Sequence, residues 1–132
     1  MSAGTVRILM AKLGEGYEAA ITRLALAFRE AGYEVIFADD QKPEAIVTSA
    51  IQEAVDHIGI TVLPGAEAGD ISKVIALLKK EDMEYVRVTA GGFLNESDID
   101  SIKAAGVVEV FAKGTTITEL IAWAKEHIRR ID

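Results

Sequence analysis

Acidic and aromatic side chains stand among glycines just after the first hydrophobic segment of the chain. Gly14, Glu15, Gly16, Tyr17 and Glu18 follow one another directly. Two carboxylates and a phenol at the mouth of a pocket could move protons as general acids and bases. Nothing in the sequence brings a nucleophile or a metal to these side chains. The alternative interpretation is a helix N-terminus, where the helix dipole favours acidic side chains.

Further glycines follow the later hydrophobic segments, at Gly65, Gly69, the pair Gly91-Gly92 and Gly114. Glycine lets a ligand approach the backbone closely, and backbone N–H groups at a helix start can hold a phosphate. The pattern indicates a site for a large, flat or phosphate-bearing ligand. The alternative is that these glycines only form turns.

Hydrophobic periodicity predicts five strands that alternate with five helices. The strands are predicted at Val6–Ala11, Glu34–Phe37, Ile58–Leu63, Tyr85–Ala90 and Val107–Phe111. The predicted helices end near Gly32, begin at Pro43, run from about Asp70 to Lys80 and from Ser97 to Ala105, and begin at a Thr116–Glu119 capping box. Strands separated by helices are parallel, with right-handed crossovers. The sequence therefore predicts a flavodoxin-like α/β fold with strand order 2-1-3-4-5 and helices on both faces.

The ends of these strands are where a ligand is expected. In open parallel sheets, ligands bind outside the carboxyl ends of the strands. The predicted functional surface is therefore formed by five loops, at residues 12–17, 39–42, 64–69, 91–96 and 112–116. Asp39 and Asp40 are predicted to form a solvated turn in the second of them.

Length and composition restrict the classes of protein. The 132 residues, half of them hydrophobic, predict one domain over residues 1–132. A net charge of −7 disfavours nucleic acid, and the apolar stretches are too short to cross a membrane. The absence of cysteine excludes disulfides and thiolate metal sites, and no signal peptide is recognisable. A cytoplasmic location is therefore expected.

Four segments resemble the cobalamin-binding domain of methylmalonyl-CoA mutase and related acyl-CoA mutases. They are residues 6–14, 61–63, 90–92 and 105–115. The resemblance implies a small subunit that carries cobalamin for an isomerase and is not catalytic alone. In the family, a radical rearrangement starts from the cofactor's cobalt–carbon bond, while a barrel subunit holds the acyl-CoA. The implied partner is a large mutase subunit or a second copy of the chain.

The resemblance assigns the cofactor's displaced dimethylbenzimidazole tail to three segments. The family's S-x-L motif corresponds to Thr61-Val62-Leu63, in which threonine retains the hydroxyl. The family's double glycine corresponds to Gly91-Gly92, and its Gly-Thr pair to Gly114-Thr115. A pocket for the tail is expected among them.

The family's cobalt-binding loop is altered in this chain. Its D-x-H-x-x-G motif falls on residues 15–20, with glutamate at Glu15, tyrosine at Tyr17 and alanine at Ala20. A neutral imidazole donates a nitrogen lone pair to a metal, whereas tyrosine at neutral pH is a protonated phenol. The other histidines, His57 at the start of the third strand and His127 in the last helix, are expected to be surface or boundary residues.

Three other chemistries fit the sequence less well. A phospho-receiver domain needs an aspartate at the end of the third strand, where this chain has Thr61-Val62-Leu63. A flavodoxin holds its flavin phosphate with a hydroxyl-rich first loop, whereas residues 13–17 contain no serine or threonine and introduce a carboxylate. A dinucleotide fingerprint needs glycine where Ala19 stands.

Two hypotheses remain open from the sequence. The first is a cobalamin-binding-like domain that lacks the lower histidine ligand. The second is a non-catalytic binding or scaffold protein, natural or engineered, that keeps the fold and has lost cobalamin binding. The predicted cofactor-binding residues are Gly14, Glu15, Gly16, Tyr17, Thr61, Leu63, Gly91, Gly92, Gly114 and Thr115.

Overall fold

The computed structural model describes residues 4–38 and 40–131 and contains five strands that alternate with five helices. The strands are β1 (Arg7–Leu13), β2 (Glu34–Phe37), β3 (His57–Val62), β4 (Arg87–Gly92) and β5 (Glu109–Phe111). The helices are α1 (Glu18–Glu30), α2 (Pro43–Gln52), α3 (Gly69–Lys80), α4 (Glu96–Ala105) and α5 (Ile117–His127). Asp39, for which the sequence predicts a turn shared with Asp40, lies outside the described residues.

All strand pairs are parallel and the sheet order is β2-β1-β3-β4-β5, which confirms the predicted flavodoxin-like topology. The central strand β3 pairs with β4 from His57 beside Arg87 to Val62 beside Gly92. Over residues 4–38 and 40–131, no helix combines the length and the apolar character needed to cross a membrane.

The two faces of the sheet are packed differently. Helices α2, α3 and α4 cover one face, where Leu9, Ile58 and Val88 are at most 1 % exposed. Helices α1 and α5 cover the other face, with a smaller group of buried side chains that includes Phe28 and Ile128. Alternation along the strands explains the division, because successive side chains point to opposite faces.

The predicted strand boundaries differ from the structure by one or two residues in β1, β3, β4 and β5. The sequence predicts that β4 ends at Ala90, but the strand continues through Gly91 and Gly92. Glycine is typical of turns, although it also occurs in strands where something approaches the backbone closely. The helical spacing of Ile117, Leu120, Ile121, Ala124, Ile128 and Ile131 predicts that all six lie on the buried face of α5. In the structure the helix ends at His127, and Ile131 packs with the α2–α4 core.

Asp56 binds the backbone near both ends of the described chain. Its carboxylate accepts hydrogen bonds from the backbone N–H of Arg7 and of Ile131, both at 2.8 Å. The Asp56→Ala variant should lose about 2 kcal/mol of unfolding free energy, because two partly buried N–H groups lose a charged acceptor. Urea unfolding measures the loss. Asp100→Ala, at an exposed position, is the control. An equal loss of unfolding free energy in both variants would contradict the role of Asp56 as a backbone acceptor.

Candidate functional site

One face of β3 and β4 carries small and polar side chains in place of a hydrophobic surface. On β3 these are His57, Gly59 and Thr61, and the in-register neighbours on β4 are Arg87, Thr89 and Gly91. The residues between them, such as Ile58 and Ile60, are buried on the opposite face. The sheet face toward α1 and α5 therefore has a depression at its centre, because Gly59 and Gly91 contribute no side chain there.

A cleft of about 490 Å³ lies above this depression, between the sheet and helices α1 and α5. Ile21, Leu24 and Phe28 of α1 form one wall, and Leu120 and Ile128 belong to the α5 side. The cleft extends from Lys113, Gly114 and Thr115 at the strand ends to His57 at the start of β3. A mostly apolar cleft of this size, with a few polar groups, is typical of a small-molecule site.

The double glycine forms part of the cleft and also of the sheet. Both residues line the cleft, and Gly91 pairs with Thr61 and Phe111. Gly92 has φ +104°, and a Cβ atom on it would lie 2.2 Å from the carbonyl oxygen of Val62. No other residue fits position 92 without a backbone shift, so a substitution there would test folding and not ligand binding.

Loop one, residues 14–17, is held in a defined position by Gln41. The amide of Gln41 accepts a hydrogen bond from Gly14 N at 2.7 Å and donates one to Gly14 O at 2.9 Å. The same amide nitrogen donates to a carboxylate oxygen of Glu15 at 2.9 Å. Sequence reasoning missed Gln41, because its role depends on a contact between two loops that are distant in the chain.

Tyr17 closes a second, smaller hollow beside the main cleft. Its backbone is left-handed, with φ 58°, and its ring lies 5.4 Å from the ring of Phe93, centre to centre. The hollow, of about 180 Å³, also touches Thr61 and Leu63. The phenol is half exposed, so it lies at the mouth of the site.

Charged side chains surround this mouth. The ammonium group of Lys12 is 3.4 Å from a carboxylate oxygen of Glu18 and 3.8 Å from one of Glu15. Hydrogen bonds from its own backbone N–H and from Lys12 lower the pKa of Glu18, so this group stays a carboxylate. Lys113 lies 4.8 Å from the centre of the Phe93 ring. The lowered pKa makes Glu18 a weaker base and a poor proton donor at neutral pH, which disfavours the acid/base interpretation.

The predicted site residues fall into two groups. Thr61, Gly91, Gly92, Gly114 and Thr115 line the main cleft. The others lie at loop one or beneath it: Gly14, Glu15, Gly16, Tyr17 and Leu63. Leu63 is buried, and its N–H donates to the carbonyl of Leu13 at 2.8 Å. In the described ranges, no group of three or more His, Asp or Glu side chains could hold a metal ion.

The expectation for His57 was wrong. It is 3 % exposed, lines the inner end of the cleft, and its Nε2 lies 3.0 Å from the hydroxyl oxygen of Thr89. Burial, with a smaller contribution from the positive charge of Arg87, lowers the pKa of His57 to about 4. The imidazole is therefore neutral at pH 7. His127 is exposed, as expected, and stacks on Trp123.

Sequence reasoning also missed Gly59, although a signal was present. A glycine between Ile58 and Ile60 interrupts a strongly β-forming segment, and glycine inside a strand often marks a site where a ligand approaches. A Cβ atom on Gly59 would meet only the hydroxyl oxygen of Thr89, at 3.8 Å. The space above Gly59 is therefore open cleft.

The family model and the relatives found by sequence agree on one family. A family model described as the B12 binding domain matches residues 6–122. The small subunit of 2-hydroxyisobutanoyl-CoA mutase from Aquincola tertiaricarbonis is 35 % identical over 112 residues, covering 83 % of this chain and 82 % of the relative. The large subunit of methylmalonyl-CoA mutase from Propionibacterium freudenreichii subsp. shermanii is 32 % identical over 121 residues, which are 86 % of this chain and 16 % of that subunit.

A solved structure with the same fold is a cobalamin-binding protein from Desulfitobacterium hafniense DCB-2. It has a TM-score of 0.75 and 15 % sequence identity, covering 95 % of this chain and 60 % of that chain. At that identity the likeness concerns the fold alone.

Proposed function

Since the chain belongs to the B12-binding domain family, we propose that its cleft receives the nucleotide tail of a cobalamin and that it is the cofactor-carrying small subunit of an acyl-CoA mutase. The observation that carries this proposal is the cleft over Gly59 and Gly91. A flat aromatic base fits a space that lacks two side chains on its sheet side and is apolar on its helix side.

Different residues of the cleft would bind the base and the phosphodiester of the tail. Ile21, Leu24 and Phe111 offer apolar surface to the base, and the hydroxyl of Thr61 offers a hydrogen bond. Lys113 at the mouth supplies positive charge for a phosphodiester. When bound, adenosylcobalamin supplies radical chemistry through homolysis of its cobalt–carbon bond. The chain itself would hold and orient the cofactor against a partner subunit that binds the acyl-CoA.

Loop one supports a cobalamin held without a histidine ligand. Tyr17 stands in the place that the family motif gives to histidine, and its ring rests on Phe93. A protonated phenol is a weak donor to a metal compared with a neutral imidazole. We therefore propose that cofactor affinity here comes from the tail cleft and not from a protein–cobalt bond.

Binding of hydroxocobalamin to the full chain tests the proposal. Trp123 is the only tryptophan, and its ring lies 5.3 Å from the ring of Phe111, which lines the cleft. We expect co-elution in gel filtration and quenching of the Trp123 fluorescence. Absence of both would sink the proposal and favour the alternative of a scaffold protein that has lost the cofactor.

The Tyr17→His variant tests the position of loop one. Histidine is one of the residues that tolerate positive φ, so the left-handed backbone at position 17 should persist. We expect the visible spectrum of bound hydroxocobalamin to shift toward a nitrogen-ligated form. The Tyr85→His variant places a histidine at an exposed position outside the cleft and should leave the spectrum unchanged. An unchanged spectrum in both, with binding intact, would show that loop one does not face the cobalt.

A further inference from the structure

The inner end of the cleft carries a polar group in apolar surroundings. Ile8 is the in-register neighbour of His57 on β1, and Phe28 and Ile128 belong to the same buried cluster as Ile8. His57 is 3 % exposed and Thr89 is 6 % exposed. A buried polar group in such a place is costly unless it is hydrogen-bonded, and the hydrogen bond between His57 and Thr89 satisfies one nitrogen of the imidazole.

The imidazole of His57 has one nitrogen left for a ligand. Nε2 is engaged with Thr89, and within residues 4–38 and 40–131 Nδ1 has no hydrogen-bond partner. No side-chain nitrogen or oxygen in those ranges is both fully enclosed and unpartnered. Since the imidazole lines the cleft, we infer that Nδ1 is reached from there.

The chemistry of the pair allows one hydrogen bond in either direction. A neutral imidazole carries one N–H donor and one nitrogen acceptor, and a hydroxyl both donates and accepts. If Thr89 donates to Nε2, Nδ1–H is free to donate, and in the other tautomer Nδ1 is free to accept. A hydrocarbon edge placed against Nδ1 would exclude water and leave this group unpaired, which lowers affinity by about tenfold or more.

We propose that His57 and Thr89 form a hydrogen-bonding subsite that favours a tail base with a polar edge over one with a hydrocarbon edge. The favoured class is a purine or a hydroxylated benzimidazole, and the disfavoured one is dimethylbenzimidazole with its two methyl groups. The inference rests on the proposed function, because the base arrives as the tail of a corrinoid. His57 contacts the ligand and determines specificity, and Thr89 fixes the direction of the imidazole.

The affinities of three corrinoids test the subsite. Hydroxocobalamin and its analogues that carry adenine or hydroxybenzimidazole are titrated into the full chain, with Trp123 fluorescence as the readout. We expect at least one polar-base analogue to bind about tenfold more tightly than hydroxocobalamin. In His57→Leu this ratio should fall to about one, and Thr89→Val should reduce it. The control Thr22→Val, which removes a hydroxyl from the α1 wall of the cleft, should keep the ratio.

The outcomes separate the two proposals. Equal affinity for all three corrinoids would overturn the subsite and leave the proposed function in place. The same conclusion would follow if His57→Leu still bound a polar-base analogue more tightly than hydroxocobalamin. No binding of any corrinoid would overturn both. The imidazole ¹⁵N shifts of His57 give a second readout on the unmodified chain. They should move when the preferred analogue binds, and unchanged shifts would contradict the contact.

Discussion

Replacing Gly59 with leucine should weaken hydroxocobalamin binding by about 100-fold or more while the fold persists. A leucine side chain at this position points into the cleft, where a Cβ atom meets only the Thr89 hydroxyl oxygen at 3.8 Å. Because the side chain would fill space and replace glycine within a strand, the free energy of unfolding should stay equal or rise. Loss of binding with retained stability separates a filled cleft from a misfolded protein.

Gly69 provides the matched control for this experiment. A Cβ atom added to it would have no neighbouring atom within 4 Å, and the residue needs no positive φ and does not line the cleft. Gly69→Leu should bind hydroxocobalamin as the unmodified chain does. Undiminished binding by Gly59→Leu would show that the tail is not received over β3 and would contradict the proposed function.

The stability of the chain should fall as the pH decreases from about 6.5 to about 4, in part because of His57. The pKa of its buried imidazole is about 4, against 6.5 for the free side chain. Between these values the unfolded chain binds a proton that the folded chain does not. The stabilisation is therefore complete above pH 6.5, and about 3 kcal/mol of it is lost on going down through pH 4.

Urea unfolding at several pH values in this window measures the contribution of His57. In His57→Leu the slope of unfolding free energy against pH should be shallower by up to about 1.4 kcal/mol per pH unit. The exposed His127→Gln variant should keep the slope of the unmodified chain. Equal slopes for His57→Leu and the unmodified chain would mean that burial does not lower the pKa of the imidazole in the folded chain.

The fold could be predicted from the sequence because local signals are consistent along the chain. Val47 and Ala50, for example, recur at helical spacing after Pro43, and α2 begins at that proline and buries both. Alternation of strands and helices then leaves few topologies. The boundaries of β4 were harder, because Gly91 and Gly92 carry a turn signal while their pairing with β3 keeps them in the sheet.

The candidate site was only partly accessible to sequence reasoning. The resemblance pointed to Thr61 and Gly91, which line the cleft. It did not point to His57, whose role depends on being two residues from Gly59 on one face of a strand. The alternation of side chains along β3 can be predicted from the sequence. Whether α1 and α5 cover the inner end of the cleft or leave it open depends on tertiary packing, which the sequence does not show directly. Gln41 illustrates the same limit, since its contact with Gly14 spans 27 residues.

The unequal covering of the sheet has a consequence for the motions of the protein. Side chains that border the cleft lack dispersion contacts on that side, so we expect α1 and α5 to be held less tightly than the three helices on the opposite face. Local opening on this side therefore costs less free energy than unfolding of the whole chain. A ligand that fills the cleft would add the missing contacts and couple its own binding to the closing of these helices. In that sense the tail base would complete the second core of the protein.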